Sequence, residues 1–190
     1  MVKCGMVLGG KVLPEYLFEL EETVLLWIQE YLRGPVLNAF FVFYTTLGNT
    51  GLCWIALSVG MLCAPRTRRA GFAGLLALLL GFLCTNVVLK PLVCRIRPWL
   101  VVEGLTALVA EHDPHSFPSG HTCAAFAAAI VWRPHLAKRW ANTALVCAVL
   151  MGFSRLYVGV HFPTDVLCGA LVGALSGWVV GHLRCLKHQE

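Results

Sequence analysis

The sequence predicts an all-α fold: a polytopic membrane helix bundle of about six helices, with a first part that is amphipathic and interfacial. Three observations carry this. Hydrophobic residues make up 58% of the chain and charged residues only 13%, about half the share usual in a soluble domain. Apolar runs of near-membrane length recur between short polar breaks. Basic residues collect in alternate breaks. One integral-membrane domain over residues 1–190 is expected, with an amphipathic N-terminal segment at 1–35 and the chemistry-bearing residues at 90–165.

The elements read in order as follows. Residues 1–10 hold too short an apolar run between Lys3 and Lys11 for a signal peptide. Residues 15–33 mix Leu, Val, Trp and Ile with Glu15, Glu19, Glu21, Glu22, Glu30 and Arg33, the pattern of a helix lying in the interface. The alternative is the first half of a tilted span. Spanning candidates then follow at 36–48 (short), 49–64, 70–89, 119–134, 141–157 and 163–183. The run at 70–89 is uncharged, and its twenty residues match a hydrocarbon core about 30 Å thick.

Orientation comes from the basic breaks. Arg66, Arg68 and Arg69 precede the third candidate span, Arg133, Lys138 and Arg139 precede the fifth, and Arg184 and Lys187 follow the last. If the spans alternate, these clusters share one face, which the positive-inside rule makes cytoplasmic. Three polar blocks then gather on the opposite face.

The first block is Lys90 with Arg97-Pro98. Pro91 is expected to end the helix at Lys90, leaving its ammonium at the interface. A guanidinium fork grips two phosphoryl oxygens, and a lysine adds a point charge. Arg95 fits no required role and reads as an anchor or a substrate-edge contact. The second block is Pro118-Ser119-Gly120-His121. Ser119 is a natural N-cap, Gly120 permits close approach, and the free N–H groups of the first turn make an anion site. His121 sits in that turn. The third block is Ser154-Arg155 with His161 and Asp165. With Pro163 at the first helical position, Asp165 falls at the third and can reach back, as in a capping box. There its carboxylate could accept the Nδ1 proton of His161 and leave Nε2 free as a nucleophile; the plain alternative is a helix cap.

Other features read as structural. The nine cysteines are scattered without paired spacing, so neither a zinc site nor a disulfide framework is indicated. Glu103, Glu111, His112, Asp113 and His115 lack metal-site spacing and read as a solvated loop, within a connection at 90–118 that is expected to be an ordered lid. Gly169, Gly173, Gly177 and Gly181 form a stripe suited to close helix packing, within the monomer in preference to a homodimer seam.

Lys90-x6-Arg97-Pro98, Pro118-Ser119-Gly120-His121 and Ser154-Arg155-x5-His161-x3-Asp165 together resemble the full signature of the type-2 phosphatidic acid phosphatase superfamily. The apolar segments resemble its membrane lipid phosphatase branch, and the length resembles small bacterial members. The resemblance implies a phosphohistidine on His161, oriented by Asp165, with His121 protonating the leaving oxygen. It implies that Lys90, Arg97, Ser119, Gly120 and Arg155 hold the phosphate, and that no metal or cofactor is needed. The expected partners are a lipid phosphate or diphosphate and membrane lipid, not nucleic acid. The expected place is the cell membrane, with the active site on the extracytoplasmic face. That face points to undecaprenyl diphosphate as substrate, with phosphatidic acid or phosphatidylglycerol phosphate as alternatives. A non-catalytic lipid transporter would have no use for the His161–Asp165 pair, and the apolar spans disfavour a soluble vanadate-dependent peroxidase.

Overall fold

The computed structural model describes residues 14–183 and a two-strand pairing of Val7–Leu8 with Lys11–Val12; residues 1–6, 9, 10, 13 and 184–190 lie outside the described residues. Arg184 and Lys187 are among these, as is most of the stretch read for a signal peptide. The described residues beyond the short pairing are helical or in connections, as expected.

Helix α1 (Glu15–Trp27) continues as a wider π turn at Ile28–Leu32. It turns Glu21, Leu25 and Ile28 inward and leaves Tyr16, Leu20, Trp27 and Tyr31 exposed. Exposed aromatic and aliphatic side chains among glutamates suit an interfacial helix. Its inward face reaches the N-terminus of the last helix, so it lies at the end of the bundle that carries the polar blocks.

The next two apolar segments correct the expectation. Helix α2 (Pro35–Leu47) and helix α3 (Leu52–Leu62) are joined by one tight turn at Asn49–Gly51, with a 46° bend. Thr50 and Gly51 take positive φ there, a conformation glycine adopts freely. The two segments form one broken path, not two antiparallel spans. Asn38 bonds Tyr157 at one end, Gly51 lies against Ala124, and Ser58 lies against Gly71 and Gly74 at the other end. Each half alone is too short to cross; joined, they traverse the bundle.

Helix α4 (Arg68–Phe82) runs on through a π turn at Leu83–Leu89 into a last turn, α5 (Lys90–Val93). Pro91 therefore does not end the helix at Lys90. The wider π turn shifts the carbonyl that the proline ring would strike, and the helix stops at Cys94, whose φ is 49°. A short α6 (Pro98–Val101) precedes the long connection. Helices α7 (Gly120–Trp132), α8 (Lys138–Tyr157) and α9 (Pro163–Gly181) complete the bundle. Counting α2–α3 and α4–α5 as one rod each, the described residues give five apolar rods beside the interfacial α1, one fewer than the six spanning candidates read from the sequence. Arg68–Val93 and Pro163–Gly181 are long and apolar enough to cross a membrane, and the bent pair makes a third such path.

Helix α7 is the hub, packed by α4, α8 and α9. Ala125, Ala127, Ala128 and Ala129 are buried along it. Its thirteen residues rise about 20 Å, less than the hydrocarbon core, so a site at its N-terminus can be recessed. The glycine stripe serves this contact. Added methyl groups at Gly169, Gly173 and Gly177 would collide with the carbonyls of Ser119, Cys123 and Ala127 of the α7 strand of chain, whereas Gly181 faces open space. Backbones pack directly there, a contact driven by van der Waals fit and not by the hydrophobic effect. The opposite side of α9 exposes Leu167, Leu171, Leu175 and Trp178 to lipid. Three of the four stripe glycines are thus covered within the chain, which removes the basis for a homodimer seam along it.

Lys90, Ser119, Arg155 and Pro163 all sit at one end of their helices. Arg66–Arg69 and Arg133–Arg139 sit at the other.

Candidate active site

Each helix end delivers one part of the site. The turn Val158–Phe162 between α8 and α9 carries His161, which is 2% exposed. Gly159 takes φ +79° in that turn, beside the Thr106 carbonyl. Nε2 of His161 lies 3.3 Å from Nη1 of Arg97. A guanidinium only donates, so this contact requires an unprotonated Nε2 and puts the ring proton on Nδ1. Burial pushes the His161 pKa well below the ordinary histidine value, and the charges of Arg155, Arg97 and Lys90 push the same way. The imidazole is therefore neutral at neutral pH, with its free lone pair facing the cations.

Asp165 reaches back as expected: Oδ2 accepts from the Phe162 N–H at 2.8 Å. Its approach to His161 is looser than expected. Oδ2 stands 3.5 Å from Nδ1, an ion-pair separation without a formed hydrogen bond. Its tightest partner is Arg95, whose Nη1 donates to Oδ1 at 2.6 Å. Arg95 is fully buried, which corrects the reading of it as an anchor or substrate-edge contact. Its Nη2 donates to Glu21 of α1 at 2.5 Å. Glu21, expected on the polar face of an interfacial helix, is 2% exposed.

The acidic loop also departs from the expectation. Glu111 and Asp113 are not simply solvated. Asp113 pairs with Lys90 at 2.9 Å. Burial opposes ionisation of Asp113, but the Lys90 hydrogen bond, the His115 amide and the charge of Arg97 outweigh it and hold its pKa below the ordinary value. Glu111 bridges two arginines: Oε1 accepts from Nη2 of Arg155, and Oε2 lies 3.3 Å from Nη2 of Arg97. Nη1 of Arg155 donates to Thr45 of α2 at 2.6 Å. Arg97 is fixed further by the carbonyls of Asp113 and Val160. Burial draws the Arg97 pKa below the ordinary arginine value, opposed by Glu111, Asp113 and Asp165. A carboxylate spread across two guanidinium groups marks an anion site.

Ser119 caps α7, accepting from the Thr122 N–H at 3.4 Å. Its hydroxyl also contacts that of Thr122, and its own N–H donates to the Asp165 carbonyl. Ser119 is thus fully buried, with its hydroxyl on Thr122 and its N–H on Asp165, and it ties the second block to the third. The first turn leaves the N–H groups of Gly120 and His121 without intrahelical acceptors. Nε2 of His121 lies 3.0 Å from Oδ1 of Asn49, a residue at the α2–α3 bend that the sequence did not mark.

Lys90, Arg97, Glu111, Gly120, His121 and His161 line one cavity of about 680 Å³. Its other wall is apolar, with Ile55 from α3 and Leu79 and Phe82 from α4, all of which are also exposed on the bundle surface. No group of side chains suited to a metal ion occurs among the described residues.

A profile described as PAP2 superfamily matches residues 71–186, more than half of the chain. The chain belongs to the PAP2 superfamily. It is 30% identical over 144 residues to an undecaprenyl-diphosphatase of Sulfolobus acidocaldarius, covering 76% of this chain and 69% of that protein. It is 30% identical over 152 residues to undecaprenyl-diphosphatase BcrC of Bacillus subtilis, covering 77% and 75%. The crystal structure of a transmembrane PAP2-type phosphatidylglycerolphosphate phosphatase from Bacillus subtilis superposes with a TM-score of 0.76 at 32% identity, covering 93% of this chain and 90% of that one. That of Aquifex aeolicus LpxE superposes at 0.72 and 29%, covering 92% and 98%. This PAP2 protein is a membrane lipid phosphatase, a hydrolase of phosphate esters.

Proposed function

We propose that the enzyme removes the terminal phosphate of an extracytoplasmic polyprenyl diphosphate, undecaprenyl diphosphate first, through a phosphohistidine. The observation that carries this is the meeting of a neutral His161 Nε2 with Arg97, one of two arginines that share the Glu111 carboxylate, at a cavity whose far wall is apolar and exposed on the bundle surface. Substrate phosphate takes the place of the Glu111 carboxylate, accepting from Arg97 and Arg155, from Lys90, and from the N–H groups of Gly120 and His121. Nε of Arg155 has no hydrogen-bond partner among the described residues and completes its fork. The lipid tail leaves between α3 and α4 past Ile55, Leu79 and Phe82.

Nε2 of His161 attacks phosphorus. The N–P bond forms as the P–O bond to the lipid breaks, and His121 gives its proton to the departing oxygen. The positive charge gained by the imidazole is met by Asp165 at Nδ1. Water then attacks phosphorus, His121 takes back a proton, and the N–P bond breaks to release inorganic phosphate and neutral His161. Charge stabilisation and positioning dominate phosphoryl transfer, and three fixed cations with helix N–H groups provide them without a metal.

The extracytoplasmic placement rests on the loops Arg66–Arg69 and Arg133–Arg139, which lie at the end of the bundle away from the cavity. The relatives from Sulfolobus acidocaldarius and Bacillus subtilis named as undecaprenyl-diphosphatases favour the polyprenyl substrate. The similarity to a phosphatidylglycerolphosphate phosphatase favours phosphatidylglycerol phosphate as the second reading. Phosphate release from undecaprenyl diphosphate, phosphatidylglycerol phosphate and phosphatidic acid, by wild type and His161→Ala, separates them. A wild type that hydrolyses undecaprenyl diphosphate no faster than the other two overturns the first choice.

A further inference from the structure

A buried chain of charge connects the interfacial helix to the nucleophile. Glu21 accepts from Arg95 through Oε2, and through Oε1 from the Thr164 N–H at 2.8 Å and the Thr164 hydroxyl at 2.6 Å. Arg95 donates on its other side to Thr164 Oγ1 and to Asp165 Oδ1, both at 2.6 Å. Its guanidinium also lies over the Phe162 ring, 4.0 Å from the centroid. Asp165 is thereby gripped on Oδ1 by Arg95 and on Oδ2 by the Phe162 N–H, and the same Oδ2 faces Nδ1 of His161. Glu21, Arg95 and Asp165 are each no more than 2% exposed.

Stability alone is a poor reason for this arrangement. Burying ions carries a desolvation cost that well-packed apolar side chains avoid. Glu21 is also the one fully buried acid of α1; Glu22 is half-buried, and Glu15 and Glu19 are exposed. What the network does accomplish is geometric. It leaves Asp165 one orientation, with an oxygen opposite the ring nitrogen that must carry the proton while Nε2 attacks.

We propose that Arg95 and Glu21 are positioning residues for phosphoryl transfer, acting through Asp165, and that α1 is part of the catalytic frame. This rests on His161 being the nucleophile. The test uses the full chain purified in detergent, dioctanoyl phosphatidic acid in mixed micelles as substrate, and thermal midpoints as the control for folding. The variants are Arg95→Met/Glu21→Gln, which removes both partner charges together, Asp165→Asn, and the triple combination. The paired variant should lose about 10- to 100-fold in kcat with KM changed by less than about threefold. The triple variant should lose no more than Asp165→Asn alone, because residues acting as a unit are non-additive. A folded paired variant with wild-type kcat overturns the inference, and so do losses that multiply. If the paired variant does not fold, Glu21→Gln alone decides: it should lower kcat several-fold at constant KM, and wild-type kcat overturns the role of α1. Full turnover by His161→Ala would instead defeat the nucleophile assignment, whereas an inactive His161→Ala beside a fully active paired variant defeats only this inference.

Discussion

Glu111 holds Arg155: its Oε1 accepts from Nη2 of that arginine, while its other oxygen faces Arg97 at 3.3 Å. A side-chain anion thus sits between the two guanidinium groups best placed for phosphate, and Asp113 occupies Lys90 in the same way.

Substrate binding then requires exchange of one anion for another. An internal charge-assisted hydrogen bond contributes about 1.5–3 kcal/mol net, or about 10- to 150-fold in affinity. Glu111→Gln is expected to lower KM, and the inhibition constants of vanadate and inorganic phosphate, by about that factor, with kcat nearly unchanged. Steady-state kinetics and inhibitor titration check this. A collapse of kcat with unchanged KM would give Glu111 a chemical role instead.

The pH dependence follows from His161. Burial and three neighbouring cations hold its pKa below the ordinary value, so the neutral nucleophile persists below pH 6.5 in the free enzyme. The acid limb of kcat/KM is expected below that value, and a pH–rate profile locates it. Stability moves in the same direction. Below about pH 6.5 the unfolded chain gains a proton that folded His161 refuses, so this contribution is present at neutral pH and lost as pH falls through the depressed folded value. Thermal midpoints measured across that window show the loss.

The α7–α9 contact predicts an asymmetric glycine series. Gly173→Ala puts a methyl group against the Cys123 carbonyl, and Gly181→Ala meets open space. Overpacking of this kind costs about 1–3 kcal/mol. Gly173→Ala is expected to lower the thermal midpoint in detergent and Gly181→Ala to leave it unchanged.

Ser119→Ala removes a helix cap, which costs about 0.5–2 kcal/mol. Because Ser119 faces Thr122 and not the cavity, the loss is expected in stability, with KM for lipid phosphate close to wild type. A large rise in KM with unchanged stability would place its hydroxyl on the substrate.

Much of this site was legible in the chain because its parts are local. Ser119 as a cap, Pro163 opening α9, and Asp165 reaching back three residues follow from helix-end chemistry within a few positions. The parts that escaped are bonds between distant residues. Glu21 and Arg95 are 74 residues apart, Thr45 and Arg155 are 110, and Asn49 and His121 are 72. Glutamates scattered along an interfacial helix all read as solvated until one faces a buried arginine. The single bent path α2–α3 escaped for a different reason. Length and polarity mark where an apolar run pauses, but only packing against Tyr157 at one end and Gly71 at the other shows that the chain continues in the same direction.

The most direct measurement traps the covalent intermediate. Purified enzyme mixed with a lipid diphosphate labelled on its terminal phosphate and quenched within one turnover should carry an acid-labile label on the peptide containing His161. The label should be absent from His161→Ala. Undiminished labelling of His161→Ala, or wild-type turnover with label on no histidine, would contradict a phosphohistidine at this position.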